Sequence, residues 1–139
     1  MSIRTLSVSA ILLSCIAFSL PASALDKPQL DAEKYSGAQK AEALACNKVN
    51  AAIAAITQSG DEITRLNTSI NAVQHEVQDA PTGAASDAAK AKVDSLKNKR
   101  KAEEQKLKQA QADELVGKKE HRKALKQGHK DKAESLNCI

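Results

Sequence analysis

The sequence predicts an all-α protein: a long antiparallel helical hairpin of coiled-coil character, with a shorter C-terminal helical segment after it. Three observations predict it. Val49, Ile53, Ile56, Ile63, Leu66, Ile70, Val73 and Val77 recur at steps of three, four or seven. That spacing lays them along one stripe of a helix and leaves polar residues on the other faces. Asp79-Ala80-Pro81-Thr82-Gly83 then interrupts the pattern. Pro81 disfavours helical geometry at Ala80, Gly83 adds freedom, and so short a loop joins antiparallel neighbours. Finally, the chain is rich in Ala, Lys, Glu, Gln and Leu, with one Tyr, one Phe and no Trp. Such a composition favours helices and lacks the aromatics that fill deep cores and pockets.

The first 24 residues read as a secretory signal peptide. Arg4 supplies a positive region, Leu6 to Leu20 is apolar or small, and Pro21 precedes the small-x-small site Ala22-Ser23-Ala24. The apolar run is short for a membrane span, which makes an uncleaved anchor the lesser reading. Leu12-Leu13-Ser14-Cys15 also loosely resembles a lipoprotein box, and the resemblance implies a lipid anchor at Cys15. The chain stays hydrophobic after Cys15, where a lipoprotein turns polar, so this too is a minor alternative. The expectation is export to a periplasmic or extracellular space, with residues 25–139 as a single helical domain.

The elements follow in order. Residues 25–35 form a polar lead-in containing Pro28. Ser36-Gly37-Ala38-Gln39 fits a capping box and opens a helix over about 37–79. A second such pattern, Ser59-Gly60-Asp61-Glu62, competes with continuity. Gly60 costs about 1 kcal/mol relative to Ala in a helix. Ile56 and Ile63 nevertheless carry the stripe across it, so a continuous or slightly kinked helix is favoured. The step from Ile63 to Leu66 to Ile70 reads as a stammer that overwinds a coiled coil. After the turn at 79–83, a second helix is expected over about 84–116. Its stripe of Ala85, Ala89, Val93, Leu96, Leu107 and Ala110 is weak, with Arg100 and Glu103 where the seam should be apolar. Gly117 and Gly128 then set off a basic helical tail, 118–137.

Of three cysteines, Cys15 leaves with the signal, so Cys46 and Cys138 remain. An even pair in an oxidising compartment reads as a disulfide. If the helices fold back about Pro81, Cys46 lies level with residues near Gly117. Cys138 would stand ~30 Å further on if the helix simply continued. A bond within one chain therefore requires the tail to double back, most simply at Gly128. Two free thiols, or an intermolecular bond with a straight tail, are the alternatives.

Nothing in the sequence specifies an activity. His75, His121 and His129 sit in no recognised metal spacing and read as solvated. There is no glycine-rich phosphate loop and no nucleophile elbow. Glu103-Glu104 and Asp113-Glu114 are sequence neighbours, which points them to different helix faces. Asn67-Thr68-Ser69 matches a glycosylation acceptor by chance, lying mid-helix. No enzyme activity, cofactor, metal or small-molecule substrate is expected.

Charge is the most suggestive feature. Residues 25–83 hold five Lys or Arg against eight Asp or Glu, and residues 84–139 hold fifteen against nine. The second half can meet an anionic polymer or lipid surface, with Lys118, Lys119, Arg122, Lys123, Lys126 and Lys130 as the candidate contacts. With no aromatics interleaved, sequence-specific nucleic-acid binding is not expected. The composition suits an exported scaffold or chaperone-like interaction protein, with a protein partner or self-association, since one hairpin covers its own apolar stripe incompletely. Binding to an anionic surface is the alternative, and a small secreted inhibitor a third and weaker one.

Overall fold

A computed structural model describes residues 27–79 and 82–139; the signal-peptide reading, Cys15, Ala80 and Pro81 lie outside them. A 3₁₀ turn at Ala32–Lys34 leads into α1, Gly37–Asp79, and α2 follows at Ala84–Lys130. At 1.5 Å per residue the two helices are roughly 65 and 70 Å long. Among the described residues there is no strand. The chain is thus all-α and folds as a helical hairpin.

α1 runs unbroken through Gly60, as the apolar stripe favours. Its buried seam includes Ala38, Glu42, Ala45, Val49, Ala52, Ser59, Leu66, Ile70 and Val73, with Ile56, Ile63 and Val77 half-buried between and beyond them. These positions step by three and four without a break. The stammer expected at Ile63–Leu66–Ile70 is therefore corrected: those steps are the ordinary alternation, and the sequence pattern loses nothing there. On α2 the buried set is Ser86, Val93, Ala110, Gly117, Ala124 and Gly128.

Contacts between the helices run in opposite order along the chain. Ile70 and Val73 pack on Val93, flanked by Ala89 and Leu96. Further from the turn, Arg100 donates to Asn67 Oδ1 at 3.0 Å, and Lys48 meets Glu120 at 3.0 Å. Gly117 then faces Val49, and Gly128 faces Ala38. Branched side chains fill the seam near the turn. Ala, Ser and Gly fill it towards the termini, which lets the backbones come close there.

Those small residues explain two corrections. α2 does not end near 116: it continues through Gly117 and Gly128 to Lys130, and no separate, shorter helical segment follows. A Cβ at Gly117 would stand 2.8 Å from Val49 Cγ2 and 3.3 Å from Val49 N. This glycine makes room for α1; it does not break α2. Nor does the chain double back at Gly128, whose absent side chain lies over the Ala38 methyl. The reversal comes at Asp131 and Lys132, with Lys132 in the left-handed region at φ 57°. Ala133 N donates to Gly128 O at 2.8 Å and Lys132 N to His129 O at 3.4 Å. This is the paired bonding of a Schellman cap, with a lysine where glycine is usual.

The last residues then return along α1 without helical structure. The side-chain amide of Gln39 donates from Nε2 to Glu134 O at 2.9 Å, tying the returning tail to the first turn of α1. The N-terminal lead-in is clamped likewise. Leu30 N donates to Asn47 Oδ1, and Asn47 Nδ2 donates to Leu30 O, both at 2.8 Å.

Candidate functional site

Functional groups converge at the end of the hairpin remote from the turn. Cys46 and Cys138 are bonded, with Cα atoms 5.9 Å apart and a sequence separation of 92. The bond is within one chain and needs the returning tail that the spacing demands. Cys46 is fully buried on α1. One helical turn earlier, Glu42 is buried too. Glu42 Oε1 accepts from Ser135 Oγ at 2.7 Å and from Leu136 N at 2.9 Å, tying the tail down beside the cysteines.

His121 enters from α2. Its side chain is 14% exposed, and its Nε2 stands 3.6 Å from Glu42 Oε1, beyond hydrogen-bonding reach. That nitrogen is buried and has no hydrogen-bond partner. Cys46 Sγ, Cys138 Sγ and a ring nitrogen of His121 all lie within 4.8 Å of one another. The expectation that His121 is solvated is therefore corrected. The hairpin register puts it opposite Cys46, on the face that Gly117, Ala124 and Gly128 bring against α1.

No protein-family model matches this chain. Neither a curated protein nor a solved structure is significantly similar to it. The site has to be understood from its own chemistry.

The expected anionic contacts lie elsewhere. Lys118 is paired with Glu114 at 2.5 Å. Lys119, Arg122, Lys123, Lys126 and Lys130 are exposed on the side of α2 away from Gly117, Ala124 and Gly128. Among the described residues no carboxylate stands within 4.0 Å of any of these five. His75 and His129 are exposed. Arg100, out of place in an apolar seam, is half-buried and pairs with Glu104 at 3.4 Å.

Residue-type reasoning missed Glu42 and His121. The signal that finds them is positional: with the turn centred near 83, Cys46 reflects onto the α2 turn that holds His121. Glu42 then follows one turn before Cys46.

Proposed function

We propose that the chain is an exported, non-enzymatic interaction protein, a scaffold or chaperone-like element built as an antiparallel, coiled-coil-like hairpin. One observation carries the reading: large apolar side chains point outward while small ones fill the seam. Leu44, Ile53, Leu115 and Val116 are 54%, 40%, 62% and 43% exposed. Ala45, Ala52, Ala110, Gly117 and Ala124 are buried instead. A slender rod of this kind offers surface to a macromolecule. One groove between the helices mixes Ala54 and Ala55 with Glu62, Arg65 and the Glu103–Lys106 pair. Export is supported by the signal-like N-terminus and by the disulfide, a bond that persists in oxidising compartments. No helix among the described residues is long and apolar enough to cross a membrane.

The test places a photo-crosslinker at Leu115 in cells of the native source and measures mass by light scattering over a concentration series. Adducts or a dimer are expected, and Leu115→Lys with Val116→Lys should abolish them without loss of helicity. A strict monomer that crosslinks to nothing ends the reading.

Five cations on the outer side of α2, with no carboxylate partner among the described residues, favour a second reading, an anionic polymer or lipid surface as the partner. Binding to vesicles containing an anionic lipid should then fall steeply with salt. Replacing Lys119, Arg122, Lys123, Lys126 and Lys130 by Gln should abolish it. Salt-independent binding, or binding unchanged in that variant, rejects it.

A further inference from the structure

We infer that, once the disulfide is reduced, this end of the hairpin is a Zn²⁺ site made by the Cys46 and Cys138 thiolates and the His121 imidazole. The inference does not rest on the interaction reading above. It comes from three facts of the site.

The first is donor type and distance. Two sulfurs and an imidazole nitrogen lie within 4.8 Å of one another. Tetrahedral zinc, at about 2.3 Å from sulfur and 2.0–2.1 Å from nitrogen, needs sulfurs about 3.8 Å apart and each about 3.5 Å from the nitrogen. With all three atoms inside 4.8 Å of one another, small shifts reach those values. Cleaving the S–S bond requires the sulfurs to separate by roughly 1.8 Å from their bonded distance. Cys138 can supply that movement, since it sits half-buried two residues after the last tail-anchoring bond. Soft thiolates with imidazole select zinc over magnesium or calcium.

The second is the unsatisfied nitrogen. A buried ring nitrogen without a partner is uncommon in folded proteins. A metal ion held by the two sulfurs and the His121 ring would sit in the same buried cluster. Glu42, 3.6 Å away, adds negative charge that favours a cation, while its own hydrogen bonds keep it on the tail. Water fills the fourth position.

The third is that the tail does not depend on the S–S bond alone. Gln39 holds Glu134 O, and Glu42 holds Ser135 and Leu136. Cys138 therefore stays beside Cys46 after reduction.

The reaction balances with a dithiol as reductant. The protein disulfide takes two electrons and two protons from the dithiol, giving two protein thiols and the reductant's own disulfide. Zn²⁺ then displaces both thiol protons, and its two charges are neutralised by the two thiolates. In the reverse direction the reductant's disulfide takes two electrons from the thiolates and two protons from water, the Cys46–Cys138 bond re-forms and Zn²⁺ is released, so disulfide and metal are mutually exclusive.

The test reduces the purified protein with a phosphine under anaerobic conditions and titrates it with Co²⁺, then Zn²⁺. The expected result is one Co²⁺ per chain, thiolate-to-cobalt charge-transfer absorption with tetrahedral d–d bands, and bleaching by equimolar Zn²⁺. The oxidised protein should show none of this. Cys46→Ser with Cys138→Ser should abolish it, and His121→Ala should weaken binding by about tenfold or more. Circular dichroism checks that each variant keeps its helices. The inference is overturned by a reduced, helical protein with no thiolate–cobalt band, or by equal affinity in His121→Ala. It is equally overturned by binding to the oxidised form, or by a reduced chain that unfolds and is not refolded by Zn²⁺.

Discussion

Gly117 of α2 rests directly on Val49 of α1, so close that an added methyl would stand 2.8 Å from Val49 Cγ2. Val49 is fully buried and its branched side chain has little freedom to turn aside. Gly117→Ala gains about 1 kcal/mol of helix propensity. Overpacking here costs about 1–3 kcal/mol. The substitution should leave stability unchanged at best and lower it by up to about 2 kcal/mol. Gly60 has nothing within 4 Å of the same added atom. Gly60→Ala should therefore stabilise by up to about 1 kcal/mol. Thermal melts of the two variants should lie on opposite sides of the parent, or at the least with Gly60→Ala clearly higher.

Backbone conformation gives a second pair of opposite signs. Lys132 holds φ 57° at the C-terminal cap of α2. Left-handed geometry costs a residue with a Cβ roughly 1–2 kcal/mol. Lys132→Gly should raise the melting midpoint, offset in part by greater chain freedom when unfolded. Gly83 precedes α2 at φ 92°, ψ −176°, a region that only glycine occupies without strain. Gly83→Ala should lower stability by about 1–3 kcal/mol, read from denaturant titration.

Glu42 is the anchor of the returning tail. Removing its carboxylate leaves Leu136 N and Ser135 Oγ without their acceptor. Glu42→Ala should lower stability by about 1–3 kcal/mol. Hydrogen exchange at the Leu136 amide should accelerate well before exchange in the middle of α1. Glu42→Gln keeps an acceptor oxygen and should lose less.

What was legible in the sequence depends on side-chain size. Ile56, Ile63, Leu66, Ile70 and Val73 announce α1 because a branched residue at helical spacing has one obvious use. The length of α2 was hidden because its seam is made of Ala110, Gly117, Ala124 and Gly128. A glycine that admits a neighbouring backbone looks, in sequence, like a glycine that ends a helix. The cysteine pairing was legible from parity, and the returning tail followed from reach. The reversal point was not, because Lys132 occupies a conformation that its residue type disfavours. His121 carried no local motif at all: its partners are a turn-reflected residue on α1 and a tail residue beyond the helix. Only the register of the hairpin reveals them.

The disulfide makes the last prediction. It closes the chain across 92 positions and joins the tail to the buried face of α1 near that helix's N-terminal end. A loop of that size restricts the unfolded chain enough to stabilise the fold by about 4 kcal/mol. Reduction, or Cys46→Ala with Cys138→Ala, should shift the denaturant midpoint by that order while the helices remain. Proteolysis of the parent without reductant should yield one peptide pair linking Cys46 to Cys138, with no dimer on a non-reducing gel. The loss should be spread unevenly. The branched seam of Ile70, Val73 and Val93 does not touch the bridge and should keep its protection against hydrogen exchange. The stretch where Ala45, Ala52, Ala110 and Ala124 meet buries less apolar area per residue, and there the bridge matters most. Amides flanking Cys46 and Ala124 should exchange fastest in the reduced protein; uniform loss along both helices would mean that the hairpin melts as one unit.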